Sequence, residues 1–244
     1  DNIWDEHPAF YFFAKGIEET VPFELVSIPG GELVTVVGDY DGFTQPDAAT
    51  FGTRHSSNAG SMTGLAVAAA NTDVWVKAAN SESGNDFWYS EDRGVTWSNK
   101  VTAPVQGQNG HGGSVAVSAD GNTFYWAPDN MAFVFWSDDK GKTWNQSEGG
   151  LSAKRLIADP VNPDYIYAAS GSTFYYSEDR GKTFTPNNDL SVFSATRPVV
   201  EAGVEGKIYY PAMGLQVSND HGKTFTRLST VSNCQMVGLG RGKN

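Results

Sequence analysis

One eight-residue pattern occurs four times in this 244-residue chain, and it constrains the fold more than any other feature. The pattern is Ser-x-Asp-x-Gly-x-Thr-aromatic, and its copies read SEDRGVTW, SDDKGKTW, SEDRGKTF and SNDHGKTF. The steps between successive copies are 47, 40 and 41 residues, counted from one pattern aspartate to the next. A repeat of this length suits a four-stranded sheet that recurs around an axis. The sequence therefore predicts an all-β protein of the β-propeller class.

Each copy of the pattern, known as an Asp-box, follows a run of aromatic and β-branched residues that is typical of a strand. Aspartate accepts hydrogen bonds from nearby backbone N–H groups, and glycine adopts a positive φ without strain, so the box predicts a hairpin turn. Catalysis or calcium binding would need one asymmetric group of ligands, whereas the boxes occupy equivalent places. We therefore interpret the four box aspartates as structural residues: Asp92, Asp139, Asp179 and Asp220.

The repeat divides most of the chain into units of an inner strand, two further strands and an Asp-box. The predicted complete blades cover residues 57–100, 112–147, 151–187 and 195–228. Strand-like runs without a box predict partial blades over 17–43 and 231–244. An open arc of blades leaves sheet edges uncovered, so we expect another portion of the polypeptide, or a partner chain, to close the ring.

Composition narrows the range of partners. The chain has 17 basic and 28 acidic residues, a formal net charge of −11, which disfavours binding to nucleic acid or anionic membranes. No apolar run is long enough to predict a membrane span. The single cysteine excludes an intrachain disulfide. No histidine pair has the spacing of a metal site and no phosphate-binding loop occurs, so the sequence predicts neither a metal nor a cofactor.

One segment, Gly38-Asp39-Tyr40-Asp41-Gly42-Phe43, breaks the repeat and is followed by a long polar stretch that ends at Ser61. A loop of that length in a compact β domain is often functional, although the residues alone also allow an ordinary Asp-Gly turn. His55 lies in this stretch and is a candidate for ligand contact. His111 lies in a glycine-rich connection that either lines a cleft or only joins two blades. His221 lies within a box and is interpreted as a solvated turn residue.

Several segments resemble glycoside hydrolase family 74, which comprises xyloglucan-active endoglucanases and reducing-end-specific cellobiohydrolases. The resemblance runs from Gly16 to Lys243, in the C-terminal half of the family. It is carried by Gly38-Asp39-x-x-Gly42-Phe43, SVAVSADG at 114–121, DPVNPDYIYA at 159–168 and VGLG at 237–240. It implies two seven-bladed propellers that face each other across a glycan-binding cleft, with this chain as a portion of one. It also implies a secreted, inverting hydrolase of a β-1,4-glucan-backbone polysaccharide such as xyloglucan.

By this resemblance, Asp39 matches the family's general acid, and the base lies in the other propeller. Inversion needs an acid for the leaving oxygen and a base for water, so this chain alone is expected to be inactive and the full-length protein to be an enzyme. The carboxylate of Asp41 is expected to be a neighbour that can raise the pKa of Asp39. The candidate substrate-binding residues are Asp41, Phe43, His55 and His111.

The sequence departs from the family at Asp41, where the family has glycine, and at Thr44-Gln45-Pro46-Asp47, where it has His-Asp-Asp. These departures keep open a second hypothesis, a non-catalytic Asp-box propeller that binds protein or glycan, as sortilin-type receptor domains do. A sialidase is disfavoured, because no arginine triad with a Tyr–Glu pair can be picked out. A second propeller with an aspartate across a cleft from Asp39 would favour the enzyme.

Overall fold

The computed structural model describes residues 20–47, 49–57, 59–81, 84–153, 155–190 and 196–239. Within these ranges the protein forms five antiparallel sheets in chain order and no helix. The predicted all-β propeller class is therefore confirmed. Since the described ranges contain no helix, they hold no candidate for a helical membrane span either.

The five sheets are antiparallel meanders whose strands are hydrogen-bonded in chain order. Sheet 1 contains β1 (Pro22–Ser27), β2 (Leu33–Val37), β3 (Gly42–Gln45) and β4 (Thr53–Arg54). Sheet 2 contains β5 (Met62–Val67), β6 (Trp75–Ala79) and β7 (Phe87–Ser90). Sheet 3 contains β8 (Ser114–Val117), β9 (Phe124–Ala127), β10 (Phe135–Ser137) and β11 (Asn145–Gln146). Sheet 4 contains β12 (Arg155–Ala158), β13 (Ile166–Ser170), β14 (Thr173–Ser177) and β15 (Thr185–Asn187), and sheet 5 contains β16 (Val199–Val200), β17 (Ile208–Ala212), β18 (Gly214–Ser218) and β19 (Thr226–Arg227).

Sheet 1 corrects the prediction of a partial blade over 17–43. It is a four-stranded sheet that ends at Arg54, while residues 17–19 lie outside the described ranges. Its fourth strand is two exposed polar residues with no box before it, so neither periodicity nor motif could reveal it. In sheet 2, by contrast, the place of a fourth strand is taken by a single bridge between Tyr89 and Ser98.

The predicted partial blade over 231–244 is also corrected. Residues 231–239 form no strand, and residues 240–244 lie outside the described ranges. Gln235, Met236 and Val237 instead line a cavity of about 370 Å³ beside the inner strands β1, β5, β8 and β12. In the same cavity Arg197, which precedes β16, pairs with Glu24 of β1. This segment therefore lies beside the inner strands, mostly exposed, and not in a sheet.

Four hydrophobic clusters join each sheet to the next one. Between sheets 1 and 2, for example, Val34 and Val36 of β2 pack with Met62 and Trp75. The second strands β6 and β9 are buried at every position, because neighbouring sheets cover both of their faces. A strand of this kind is expected to be apolar throughout. Lys77 is therefore an exception, since it lies in the middle of β6 and has no exposed surface.

The Asp-boxes all close the same turn after the third strand of their sheet. In the copy at Asp139, one carboxylate oxygen accepts the backbone N–H of Thr143 at 2.9 Å and the hydroxyl of Ser137 at 2.8 Å, and the other accepts the hydroxyl of Thr143 at 2.7 Å. The same three bonds recur at the other copies. The residue before each box glycine also has a positive φ, between 58° and 64°. The side-chain bonds thus stabilise a backbone with two left-handed residues in succession.

Those left-handed residues before the box glycines connect neighbouring sheets. The guanidinium of Arg180 donates to Asp164 at 2.8 Å and to Asp120 of the preceding sheet at 3.2 Å. The prediction that His221 is a solvated turn residue is wrong. Its ring stacks on Tyr165 with the centroids 3.7 Å apart, and its Nδ1 lies 3.1 Å from the hydroxyl of Tyr167.

Candidate functional site

Asp39 lies at the turn between β2 and β3, at the end of the sheets opposite to the Asp-boxes. Consecutive hairpins of a meander lie at opposite ends, and the boxes follow the third strand whereas this turn follows the second. Both Asp39 and Asp41 have a positive φ, at 71° and 43°. The backbone is held on each side, because Gly38 N–H donates to Val21 at 2.8 Å and Asp41 N–H donates to Gly60 at 2.8 Å. These two backbone hydrogen bonds therefore hold the turn in place at the end of the sheet.

The side chain of Asp39 is exposed, and none of the residues that the structure describes pairs with its carboxylate. Next to it the ring of Tyr40 is 39% exposed, and the guanidinium of Arg54 lies 5.5 Å from the ring centre. Phe43 is half-buried in β3 opposite Arg54. An unpaired carboxylate beside a partly exposed aromatic ring is an arrangement that can hold a polar ligand with an apolar face.

Asp41 points the other way, into a polar cluster between sheets 1 and 2. Its side chain has no exposed surface. Lys77 donates to one carboxylate oxygen and the hydroxyl of Ser57 donates to the other. Lys77 Nζ also donates to Ser57 Oγ at 2.7 Å and lies 3.8 Å from the ring centre of Trp97. The buried charge of Asp41 thus has a counter-ion and a hydrogen bond on each oxygen, which a buried carboxylate requires.

His55 completes this cluster and is 5% exposed. Its Nδ1 lies 3.7 Å from Asp41 Oδ1 and 3.5 Å from Lys77 Nζ, while its Nε2 lies 3.0 Å from the hydroxyl of Thr44. Gly42 is required beside it, because a Cβ at that position would lie 2.8 Å from Nδ1 of His55. The glycine after Asp41 therefore provides the space in which the imidazole packs.

The three ionisable groups of the cluster have shifted pKa values. Burial raises the pKa of Asp41, but the contact with His55, the charge of Lys77 and the hydrogen bonds outweigh burial and hold this pKa well below its usual 3.8. Burial lowers the pKa of Lys77 to about 8, against the opposing charge of Asp41. Burial also lowers the pKa of His55, which favours its neutral form, although the contact with Asp41 opposes this.

The cluster corrects two of the predicted substrate contacts. Asp41 and His55 are buried between sheets, so we assign them to the support of the turn and not to contact with a ligand. The Asp41 carboxylate is also no free negative charge beside Asp39, because Lys77 balances it. Sequence reasoning missed Lys77 and Ser57. A lysine within the apolar run Trp75–Ala79 was the signal that could have found the first of them.

His111 is held by Asp86 at the same end of the sheets as Asp39. His111 Nδ1 lies 2.9 Å from Asp86 Oδ2, and the two side chains are 21% and 4% exposed. The backbone N–H of Ser81 donates to the same oxygen at 2.9 Å and its hydroxyl donates to the other. The pair is separate from the Asp41 cluster. In the part of the chain that the structure describes, no group of three or more His, Cys, Asp or Glu residues could hold a metal ion.

Comparisons with known proteins place the chain among relatives of much greater length. No protein-family model matches it. A xyloglucanase from Paenibacillus sp is 32% identical over 248 residues, which cover 93% of this chain and 24% of that protein. A xyloglucanase from Hypocrea jecorina is 32% identical over 251 residues, 98% of this chain and 29% of that protein.

Solved structures agree with the sequence matches. The structure of the Niastella koreensis GH74 enzyme matches with a TM-score of 0.75 at 30% identity, and the match covers 90% of this chain and 32% of that one. The chain thus spans about a quarter to a third of the length of these relatives.

Proposed function

Because the chain is homologous to xyloglucanases of glycoside hydrolase family 74 over at least nine-tenths of its length, we propose that it is a portion of an inverting glycoside hydrolase. The substrate class is a polysaccharide with a β-1,4-glucan backbone, and xyloglucan is the first candidate. The observation that carries the proposal is the exposed carboxylate of Asp39, which pairs with none of the residues that the structure describes and lies on a held turn outside the repeat. In this proposal Asp39 is the general acid.

The proposed chemistry needs two carboxyl groups. Asp39 protonates the glycosidic oxygen as the bond to the sugar breaks, and a second carboxylate takes a proton from the attacking water. In an inverting enzyme the two groups stand roughly 6.5–9.5 Å apart to leave room for that water. The second group belongs to the remaining propeller portion of the protein, or to a partner chain, which faces the Asp39 end of the sheets. The chain alone is therefore proposed to be inactive.

The acid must hold its proton at the pH of the reaction. A glycan that covers the exposed Asp39 removes water from it, and loss of water favours the neutral carboxylic acid. The ring of Tyr40 offers a sugar an apolar face beside the acid. His111 and Phe43 are the proposed substrate-binding residues. Because Nδ1 of His111 lies 2.9 Å from the carboxylate of Asp86, Nε2 is left for a hydrogen bond with a sugar hydroxyl.

The proposal includes action outside the cell, since a polysaccharide chain is too large to enter one. It requires no cofactor, because proton transfer between carboxyl groups and water completes the reaction.

The test uses the complete polypeptide that carries this chain and measures reducing ends released from xyloglucan. Asp39→Asn should lower kcat by about 10²–10⁴-fold, the usual contribution of a general acid. The matched control is Asp139→Asn in an Asp-box, which should leave kcat unchanged. On an aryl glucoside whose phenolate leaves without a proton, Asp39→Asn should lose far less activity. Unchanged hydrolysis of xyloglucan by Asp39→Asn would reject the acid role, and glycan binding without hydrolysis by the unaltered protein would favour the binding-module hypothesis.

A further inference from the structure

Asp41 holds a backbone conformation that its side chain disfavours. Its φ of 43° lies in the left-handed region, where the Cβ of an ordinary residue crowds the backbone and glycine does not. Asp39 shares this region two residues earlier. A turn with two such residues persists only where surrounding contacts hold it in place. The contacts of Asp41 therefore help to hold the turn that carries Asp39.

We propose that Asp41 and Lys77 form a buried clamp that holds the Asp39 turn, so that a lysine on the neighbouring sheet positions the proposed general acid. This inference rests on the proposed function. Lys77 is a positioning residue in this account, because it acts on the reaction only through the turn. We define the clamp as the ion pair of these two side chains with the hydroxyl of Ser57.

The clamp is rigid on the side of sheet 2. Lys77 is at the centre of β6, where its backbone pairs with Leu65 on one side and Trp88 on the other. Its side chain has no exposed surface, and Trp97 covers its ammonium group. A lysine side chain is normally flexible, but one enclosed on all sides has a single position. The turn is thus anchored to the interior of the adjacent sheet.

The clamp also depends on charge. Without the ammonium group of Lys77, the carboxylate of Asp41 would be a buried anion whose nearest remaining partners are Ser57 and His55. Such an anion either takes up a proton, which removes the buried charge, or reaches water by an outward movement of the turn that carries Asp39. A displacement of about 1 Å of an acid from its productive position costs on the order of 10²-fold in rate. Loss of the lysine charge should therefore act on the chemical step.

The experiment compares three variants of the complete polypeptide on xyloglucan. Lys77→Met should lower kcat by about 10–100-fold with KM little changed. The double variant Asp41→Gly/Lys77→Met should recover most of this loss, because glycine adopts the left-handed conformation unaided and no charge is left unpaired. The control is Lys140→Met, which removes an exposed lysine paired with Glu91 and should change nothing. On the aryl glucoside that needs no acid, Lys77→Met should retain its rate, a result that general destabilisation would not give.

Hydrogen exchange supplies a readout that does not depend on catalysis. The Asp41 amide, bonded to Gly60, should exchange at least about 10-fold faster in Lys77→Met than in the unaltered protein. A folded Lys77→Met protein with unchanged kcat and unchanged exchange would overturn the clamp. If Lys77→Met does not fold, the activity of the double variant Asp41→Gly/Lys77→Met tests the clamp instead. A double variant that folds but is inactive would overturn the clamp. Should the unaltered protein fail to hydrolyse xyloglucan, the proposed function fails, and the exchange rates still decide on the clamp.

Discussion

Lys77 and Asp41 form an ion pair in which neither side chain has any exposed surface, although the two residues lie on different sheets and 36 positions apart. The pair joins the turn that carries Asp39 to the interior of sheet 2. Each of these charges can stay buried only while it is paired with the other. The two sheets therefore depend on one another for stability.

Removal of one partner should therefore destabilise the fold. Lys77→Met should lower the free energy of unfolding by about 3–5 kcal/mol, the usual cost of an uncompensated buried charge. Urea denaturation measures the change. Lys140→Met removes a half-exposed lysine and should cost no more than about 1 kcal/mol. Equal costs for the two variants would show that the buried pair contributes nothing beyond a surface pair.

Acid should weaken the protein through Asp41. The pKa of this carboxyl group is lower in the folded protein than its usual 3.8, so the unfolded chain binds the proton more tightly. The stabilisation is complete above about pH 5 and is lost progressively as the pH falls through 3.8 toward the lower pKa of the folded state. Urea midpoints between pH 5 and pH 2 should fall more steeply for the unaltered protein than for Asp41→Asn. Parallel curves would contradict the shift.

A Cβ on any of the four box glycines would lie 2.8 Å or less from a packed side chain. At Gly94, with φ 77°, a Cβ would lie 2.5 Å from the ring of Trp75. Gly94→Ala should thus combine backbone strain of about 1–2 kcal/mol with overpacking of about 1–3 kcal/mol. Gly107, with φ 78° and open space around it, is the matched control and should show the strain alone. Thermal or urea unfolding of the two variants should give clearly different losses of stability.

The box aspartates should matter for stability and not for the reaction. Asp139→Ala removes the three hydrogen bonds that close its turn and should cost about 1–3 kcal/mol. The kcat of the folded complete polypeptide on xyloglucan should stay within about two-fold of the unaltered value, because this box lies at the end of the sheets opposite to Asp39. A large fall in kcat with the fold intact would contradict the structural role of the box aspartates and favour a catalytic one.

Much of the fold could be predicted because its signals are local. Strands such as Phe124–Ala127 are aromatic and buried, and the box turns recur with one pattern. The conformation of two segments could not be predicted. The strand Thr53–Arg54 has no apolar residue, and the segment Gln235–Val237, where a strand was expected, lies beside the inner strands without forming one. Thr53–Arg54 is a strand because it pairs with β3 of its own sheet, and Gln235–Val237 forms none although its sequence favours one, so local propensity decided neither conformation.

The sequence by itself determined the repeated sheet and the turn at each box, because the hydrogen bonds of a box join residues no more than four positions apart, as Asp139 and Thr143 show. It also set apart the segment around Asp39, where the box pattern is missing, and the resemblance to glycoside hydrolase family 74 made Asp39 the candidate acid. Only the tertiary structure decided what Asp41 does. The sequence does not distinguish the carboxylates of Asp39 and Asp41. In the structure, however, Asp39 is exposed and Asp41 is buried against Lys77. Their difference arises from a lysine on another sheet, and a local pattern carries no information about a partner that distant.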